Sequence, residues 1–438
     1  MTNALHGTDQ RHGIDKRHGT GERRGHTPRR IRAAAAIAGA SVAILALGAC
    51  SSDGAAGGDG GDSSGTSYTI GLPFPLTGSW ASGGQASANG ALLAIDEINA
   101  AGGIKALDGA QLTGVTADTG STDPGQAGTV TRQLIEQDGA VAIVGAYVTA
   151  FTNTASTSAE QASVPLITMS NSDALGERGY QNYFQVSILA SASGGSAVSY
   201  LKDAFAAVGS PVEKVAVLAA NDATTQAQGE TAIQQASDNG LTVVNQAFYP
   251  QDLSDATVMV QTALAEHPDA ILLGGPTPAV ATIVSTARTL GFTGPMVGLG
   301  GGGILDPEFG EQLGESVNGV LSMTSWNFDL PYDGIGDVNE AYKAKYGKFA
   351  PQEAGEAYVA VWEIAAAMES AASADPAAIS SALHTIEFSE GPASWMPGGS
   401  VRFDETGRNS VIFPIMIQWQ DGVPCTVWPQ EVQACKPE

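Results

Sequence analysis

Histidine is nearly missing from most of this 438-residue chain: four of the six lie within residues 1–49, leaving His267 and His384. Cysteine is scarcer still, at positions 50, 425 and 435. A metal site built from His and Cys needs several such ligands at short spacing, so a conventional one is excluded, and neither metal nor cofactor is expected. Catalysis of the Ser-His-Asp or Cys-His type would fall to one of two isolated histidines, which argues against an enzyme. Basic residues are also few. Residues 1–49 hold eight of the 20 Lys/Arg, and from Cys50 onward 12 Lys/Arg face 42 Asp/Glu. Nucleic acid requires a basic face, so it is excluded as a partner. No apolar run reaches the roughly 20 residues of a membrane-spanning helix. What remains is a chain with 43% hydrophobic and only 15% charged residues, long enough for two domains of ordinary size.

The N-terminal segment reads as an address. Residues 1–32 are polar and basic and end in Arg29-Arg30-Ile31-Arg32; residues 33–47 are small or apolar and carry no charge. A basic flank followed by a short apolar run describes an export signal, here assigned to residues 1–49. The run closes in Leu47-Gly48-Ala49-Cys50, which resembles the lipobox of bacterial lipoproteins. That resemblance implies that the Cys50 thiol carries a diacylglycerol. Residues 50–67 are rich in Gly, Ser and Asp and bury nothing, so a flexible tether is expected there. Lipid and tether would hold the body on the extracytoplasmic face of the cell membrane. That compartment is oxidising, and with Cys50 taken by lipid, Cys425 and Cys435 are free to pair.

From Tyr68 onward, short apolar strands alternate with helical stretches. Strands are expected at 68–74, 112–118, 140–146 and 164–170, with helices at 86–103, 125–139 and 149–161 between them. A second series follows: strands at 213–220, 241–249, 269–275, 294–300 and 318–324, and helices at 228–240, 254–266 and 278–290. A helix at 351–371 and late strands near 400–403 and 411–419 close the chain. Alternation of this kind gives parallel sheets covered by helices, and ligands then sit beyond the carboxyl ends of the strands. Six strand-to-helix loops therefore matter most. They contain Trp80; Tyr147 and Thr149; Ser170, Asn171 and Ser172; Asp222, Thr225 and Gln226; Pro276 and Thr277; and Gly300. Hydroxyls and free N–H groups at helix starts can hold a carboxylate or carbonyl without a basic side chain. Each Ser, Thr or Asp there can equally cap its own helix.

The stretch PFPLTGSWASGGQASANGALLAIDEINAAGGI at 73–104 resembles the solute-binding receptors of ABC importers in the leucine/isoleucine/valine-binding family. The likeness continues in order through Asp123-Pro124, Val144-Gly145, Pro165-Leu166-Ile167-Thr168, Arg178-Gly179-Tyr180, Asn221-Asp222, Ala357-Tyr358 and Phe403-Asp404-x-x-Gly407, and spans nearly all of 67–430. It implies the type I periplasmic binding protein fold: α/β, with two doubly wound parallel-sheet lobes joined by three crossovers near 188–192, 322–327 and 386–393. Lobe one would hold 67–189 plus 325–388, and lobe two 190–323 plus 390–438. A small organic solute, an amino acid or related carboxylate or amide, would be trapped between the lobes and delivered to an ABC permease with its ATPase subunits by a monomeric receptor. A lipid-anchored sensor of the same fold, signalling to a membrane partner, is the alternative.

The resemblance also assigns roles. Thr149 and Ser172 would hold an α-carboxylate, with main-chain groups around Tyr147 and Ser170. An aromatic residue usual in lobe two is replaced near Gln226, and a tyrosine common in the family aligns near Pro276. The acid that meets an α-ammonium aligns near Gly300, within a run of glycines, and Asp222 or Asp306 is left to substitute for it. Trp80 would stack on a planar or apolar ligand. The run from Gly298 to Gly303 also satisfies G-x-G-x-x-G, but Asp306-Pro307 follows and the next strand ends without an acid, so dinucleotide binding is not supported.

Overall fold

The computed structural model describes residues 65–207, 211–300 and 303–438; the expected export signal, the expected lipidation site at Cys50 and most of the expected tether lie outside them. The first series of strands is β1 (Ser67–Phe74), β2 (Gln111–Asp118), β3 (Ala140–Val144), β4 (Leu166–Thr168) and β5 (Tyr183–Gln185). Helices α1 (Ala81–Ala100), α2 (Pro124–Glu136) and α3 (Thr149–Ala162) connect them. All five strands are parallel, in the order β2-β1-β3-β4-β5.

After α4 (Ala190–Ala207) the same plan repeats. Strands β6 (Lys214–Ala220), β7 (Thr242–Tyr249), β8 (Ala270–Gly274), β9 (Met296–Gly298) and β10 (Leu321–Thr324) alternate with α5 (Ala223–Asp238), α6 (Thr257–Ala265), α7 (Thr277–Thr289) and α8 (Pro307–Leu313). The parallel order is again β7-β6-β8-β9-β10. Central strands such as β8 (AILLG) are buried on both faces and so read as unbroken apolar runs rather than alternating ones. Three helices open with Asp-Pro, in which the Asp carboxylate accepts from the first turn: Asp123, Asp306 and Asp375.

The chain then returns to the first sheet with α9 (Ile335–Tyr346), α10 (Gln352–Ala371) and α11 (Pro376–Thr385). Short strands β11 (Glu387–Phe388) and β12 (Val401–Arg402) pair with each other. Strands β13 (Ile415–Gln420) and β14 (Val423–Trp428) finally add antiparallel to β10, making the second sheet mixed and seven-stranded. Cys425 on β14 is disulfide-bonded to Cys435.

The third crossover falls later than 386–393. Phe403 packs on Phe184 at 5.1 Å between ring centroids, Gln185 N donates to the Gly407 carbonyl at 2.7 Å, and Asn409 N donates to the Gln185 carbonyl at 2.9 Å. Residues 403–409 thus cover the free edge of β5, an edge that would otherwise expose unpaired backbone groups. The passage to the second sheet follows, before Ile415. The three passages touch: Ile188 N donates to Ser325 Oγ at 3.1 Å, and Asn409 Nδ2 donates to the Val186 carbonyl at 3.4 Å.

Helix α1 lies unusually close to α10. Its buried face is built of Gly83, Gly84, Ala86, Ser87, Gly90, Ala91 and Ala94. At Gly90 a Cβ would overlap the carbonyl of Ala354 at the start of α10. Gly90→Ala is expected to destabilise the protein by about 1–3 kcal/mol through overpacking, despite the better helix propensity of alanine. A urea midpoint at or above that of the wild type would show that α10 has room to move.

Candidate functional site

A parallel sheet whose strand order reverses opens a crevice at the reversal, beyond the strand ends. In the first sheet the reversal separates β1 from β3; in the second it separates β6 from β8. The loops leaving these four strands meet in one small cavity of about 40 Å³. Five of the six loops singled out from the sequence reach it, and at the fifth position the contact is made by Gly275, expected as the last residue of the preceding strand. Trp80 comes from the first, Tyr147 and Val148 from the second, Met169 and Asn171 from the third, Asp222, Thr224 and Thr225 from the fourth, and Gly300 from the sixth. Gln228 on α5 and Gln352 at the start of α10 complete the lining, which holds no Lys, Arg or His.

The wall from the first sheet supplies donors. Helix α3 begins at Thr149 with Val148 as its N-cap and no side chain capping it. Its first-turn N–H groups have no partner within the helix, and they carry the positive end of the helix dipole. Thr149 Oγ1 lies 2.8 Å from Ser170 Oγ and also contacts Thr224 Oγ1 across the cleft. Asn171 is buried and its Nδ2 has no partner. Tyr147 adopts a left-handed backbone with φ of 70° and turns its ring edge-on to Trp80, at 6.0 Å between centroids. Its hydroxyl faces Glu353 Oε1 at 3.5 Å. Burial, and after it the carboxylates of Glu353, Asp306, Asp222 and Glu356, push that hydroxyl well above its usual range.

The wall from the second sheet supplies an acceptor. Asp222 is the N-cap of α5: its Oδ1 accepts from Thr224 N at 3.1 Å and Thr225 N at 3.0 Å. The residue is only 7% exposed, and its other oxygen, Oδ2, is buried without a hydrogen-bond partner. Burial raises the Asp222 carboxyl pKa, against the lowering effect of its hydrogen bonds from Thr225 and Thr224. At Gly300, φ is 108° and a Cβ would overlap the hydroxyl of Ser193. Ser193 thus occupies the space that an acid at position 300 would use. Gln228 Nε2 donates to the Gly300 carbonyl at 2.8 Å.

Of the expected site residues, Trp80, Tyr147, Asn171, Asp222, Thr225 and Gly300 line the cavity; Thr149 touches the lining residue Thr224 and Ser170 touches Thr149, while the remaining four stand elsewhere. Ser172 Oγ accepts from Leu175 N at 3.3 Å and stabilises a short 3-10 turn. Gln226 Nε2 donates to Glu230 one turn along its own helix at 2.8 Å. Pro276 is the N-cap of α7, and Thr277 Oγ1 lies 3.4 Å from Asp306 Oδ2. Ser172 is engaged in a local turn, Gln226 in a side-chain pair along its own helix, and Thr277 with the cap residue of α8, while Pro276 offers no side-chain donor. Of the unforeseen lining residues, Val148, Met169 and Thr224 stand within the same loops, whereas Gln228 and Gln352 lie on helices with no sequence signal. Gln352 is anchored at the second crossover: Thr324 Oγ1 donates to its Oε1 at 2.6 Å and Ser325 N at 3.3 Å.

The profile of the periplasmic binding protein family matches residues 67–419. The chain belongs to that family. Leu/Ile/Val-binding protein homolog 8 of Brucella melitensis is 28% identical over 379 residues, 84% of this chain and 92% of that protein. The amino acid binding protein of Pseudomonas aeruginosa is 28% identical over 358 residues, 80% of this chain and 90% of that one. Among solved structures, the branched-chain amino acid transporter substrate-binding protein LivJ of Streptococcus pneumoniae, in complex with isoleucine, superposes with a TM-score of 0.74. It is 26% identical and covers 83% of this chain and all of its own. These likenesses fix the type I fold with two lobes and three crossovers, and place the chain among binding proteins rather than enzymes. No described helix is long and apolar enough to cross a membrane.

In this periplasmic binding protein the cavity is shut by contacts between the lobes. Trp80 Nε1 donates to Gln251 Oε1 at 2.8 Å, and Thr149 meets Thr224. Trp80→Phe keeps the ring and removes the indole donor. A net hydrogen bond of about 0.5–1.5 kcal/mol then leaves the closed state, so ligand affinity should fall about 2- to 10-fold in calorimetric titration. Unchanged affinity would mean that this bond does not favour closure. A second expectation concerns pH. Burial raises the carboxyls of Asp222, Asp306 and Glu356. A raised acid contributes stability below the ordinary carboxylate range of about 4, and loses it as pH climbs through the raised value. The melting temperature of the ligand-free protein should therefore fall as pH rises above the ordinary carboxylate range of about 4, and fall less steeply in the Asp222→Asn/Glu356→Gln variant. An identical slope in that variant would contradict the assignment.

Proposed function

We propose that this protein is the extracytoplasmic receptor of an ABC importer, capturing an amino acid or closely related small carboxylate between its lobes and delivering it chemically unchanged. The carrying observation is the pairing, in one cavity, of an uncapped helix start with a buried carboxylate oxygen that has no partner. The ligand carboxylate sits at the N-terminus of α3, held by the Thr149 and Ser170 hydroxyls and first-turn N–H groups. The ligand ammonium meets Asp222 Oδ2, which takes over from the acid displaced by Gly300. The remaining part of the ligand lies against Trp80, Val148 and Met169, with Asn171 free to donate to a carboxylate or amide oxygen.

A cavity of about 40 Å³ is well below the roughly 300–1,000 Å³ of ordinary ligand sites, so entry requires the lobes to part and the Thr149–Thr224 contact to be replaced by the ligand. The binding energy is then spent on reclosing, and only the closed form is presented to the permease. Lipidation at Cys50 would keep the receptor at the membrane face. The names of the relatives, which mention leucine, isoleucine, valine and amino acids, support this substrate class.

Titration with the twenty amino acids, and with the 2-hydroxy acid and amide of any that bind, tests the reading. Thr149→Ala/Ser170→Ala should weaken the amino acid at least 10-fold and its amide less, since hydrogen bonds to a charged group contribute about 1.5–3 kcal/mol each. Asp222→Asn keeps the helix cap and should remove the preference for the amino acid over its hydroxy analogue. Equal affinities across both variants would reject the proposed polarity of the ligand.

A further inference from the structure

A second concavity lies on lobe one, between α10 and the segment 386–393. Its volume is about 430 Å³, within the usual range for small-molecule sites. Trp362 and Glu363 of α10 form one side; Ile386, Phe388 and Pro392 form the other, so the lining is largely apolar. Glu363 is 1% exposed, and both of its carboxylate oxygens lack a hydrogen-bond partner. Other buried acids of this protein are better served. Asp222 and Asp306 cap helices, Asp329 accepts from Thr426, and Glu356 accepts from Gln352 at 3.2 Å. The lining contains no Lys or Arg, and Glu387 and Glu390 add carboxylates from the exposed segment. Glu387 has Arg402 at 3.9 Å, which leaves Glu390 and Glu363 to set the sign of the groove.

A buried carboxyl with no donor is costly, and an apolar residue of similar size would pack there more cheaply. Desolvation alone pushes the Glu363 carboxyl well above its usual range. A cation arriving in the groove reverses this penalty by supplying the missing donors. We propose that this groove is a second binding site, separate from the cleft, for a small organic ammonium ion. The ammonium is held by Glu363, and the hydrocarbon or ring body rests on Phe388, Pro392 and the indole of Trp362, whose face also attracts a cation.

Phenethylammonium chloride is the probe, with 2-phenylethanol as its uncharged counterpart, both titrated calorimetrically into the purified full chain. The expected result is saturable 1:1 binding of the amine, at least 10-fold weaker binding of the alcohol, at least 10-fold loss in Glu363→Gln, and full retention in Asp222→Asn. Ala366→Trp fills the groove from an exposed position without touching the acid, and should abolish binding even if Glu363→Gln does not fold. Absence of saturable amine binding, undiminished binding to Glu363→Gln or Ala366→Trp, or loss confined to Asp222→Asn would each overturn the proposal. The last outcome would place the amine in the cleft.

Discussion

The reversal of strand order in each parallel sheet is the constraint on which the site depends. Two neighbouring strands whose connections leave in opposite directions cannot have the space beyond their ends covered by their own helices. Each lobe carries one such gap, formed by β1 and β3 in one and by β6 and β8 in the other. Neither gap is a site by itself. One offers a helix start and hydroxyls, and the other a capped aspartate with a spare oxygen. In the proposed binding mode recognition would arise when they are opposed, so that binding and closure would be the same event seen from two directions.

The electrostatics follow from an unusual shortage. The cavity lining has no basic side chain, yet a carboxylate ligand needs positive potential. In the proposed binding mode helix α3 would supply it from its backbone, at no cost in side-chain entropy and with no group that a change of pH could neutralise. The negative half is more conditional. Asp222 already spends one oxygen on capping α5, and its burial favours the neutral form until a cation is beside it. Ser193 explains why the acid does not stand at position 300, because its hydroxyl takes the space of a Cβ there.

Much of this was legible in the residues. Apolar runs such as AILLG mark doubly covered strands, Asp-Pro pairs mark helix starts, and five of the six strand-to-helix loops named from the sequence reach the cavity. What stayed hidden has physical causes. A Ser or Thr in such a loop can face its own helix or the ligand, and the sequence does not say which: Ser172 turned to a local cap while Ser170 faces Thr149. Gln228 and Gln352 sit on helices, where their spacing resembles that of any polar residue. The late third crossover was missed because residues 403–409 pair with an edge strand more than 200 positions earlier, a contact with no local signature.

Helix α10 has a consequence for how the protein acquires its shape. It backs the first sheet through α1, meeting Gly90 with Ala354, a residue far downstream in the chain. During synthesis the N-terminal strands are therefore finished long before the element that seals them, and strands β6 to β10 of the second sheet emerge in between. The first lobe cannot reach its final density until that late helix arrives, and such distant pairing is intrinsically slow. Neither lobe is therefore complete until the last third of the chain has been made: the first waits for α10, and the second waits longer still, for β13 and β14.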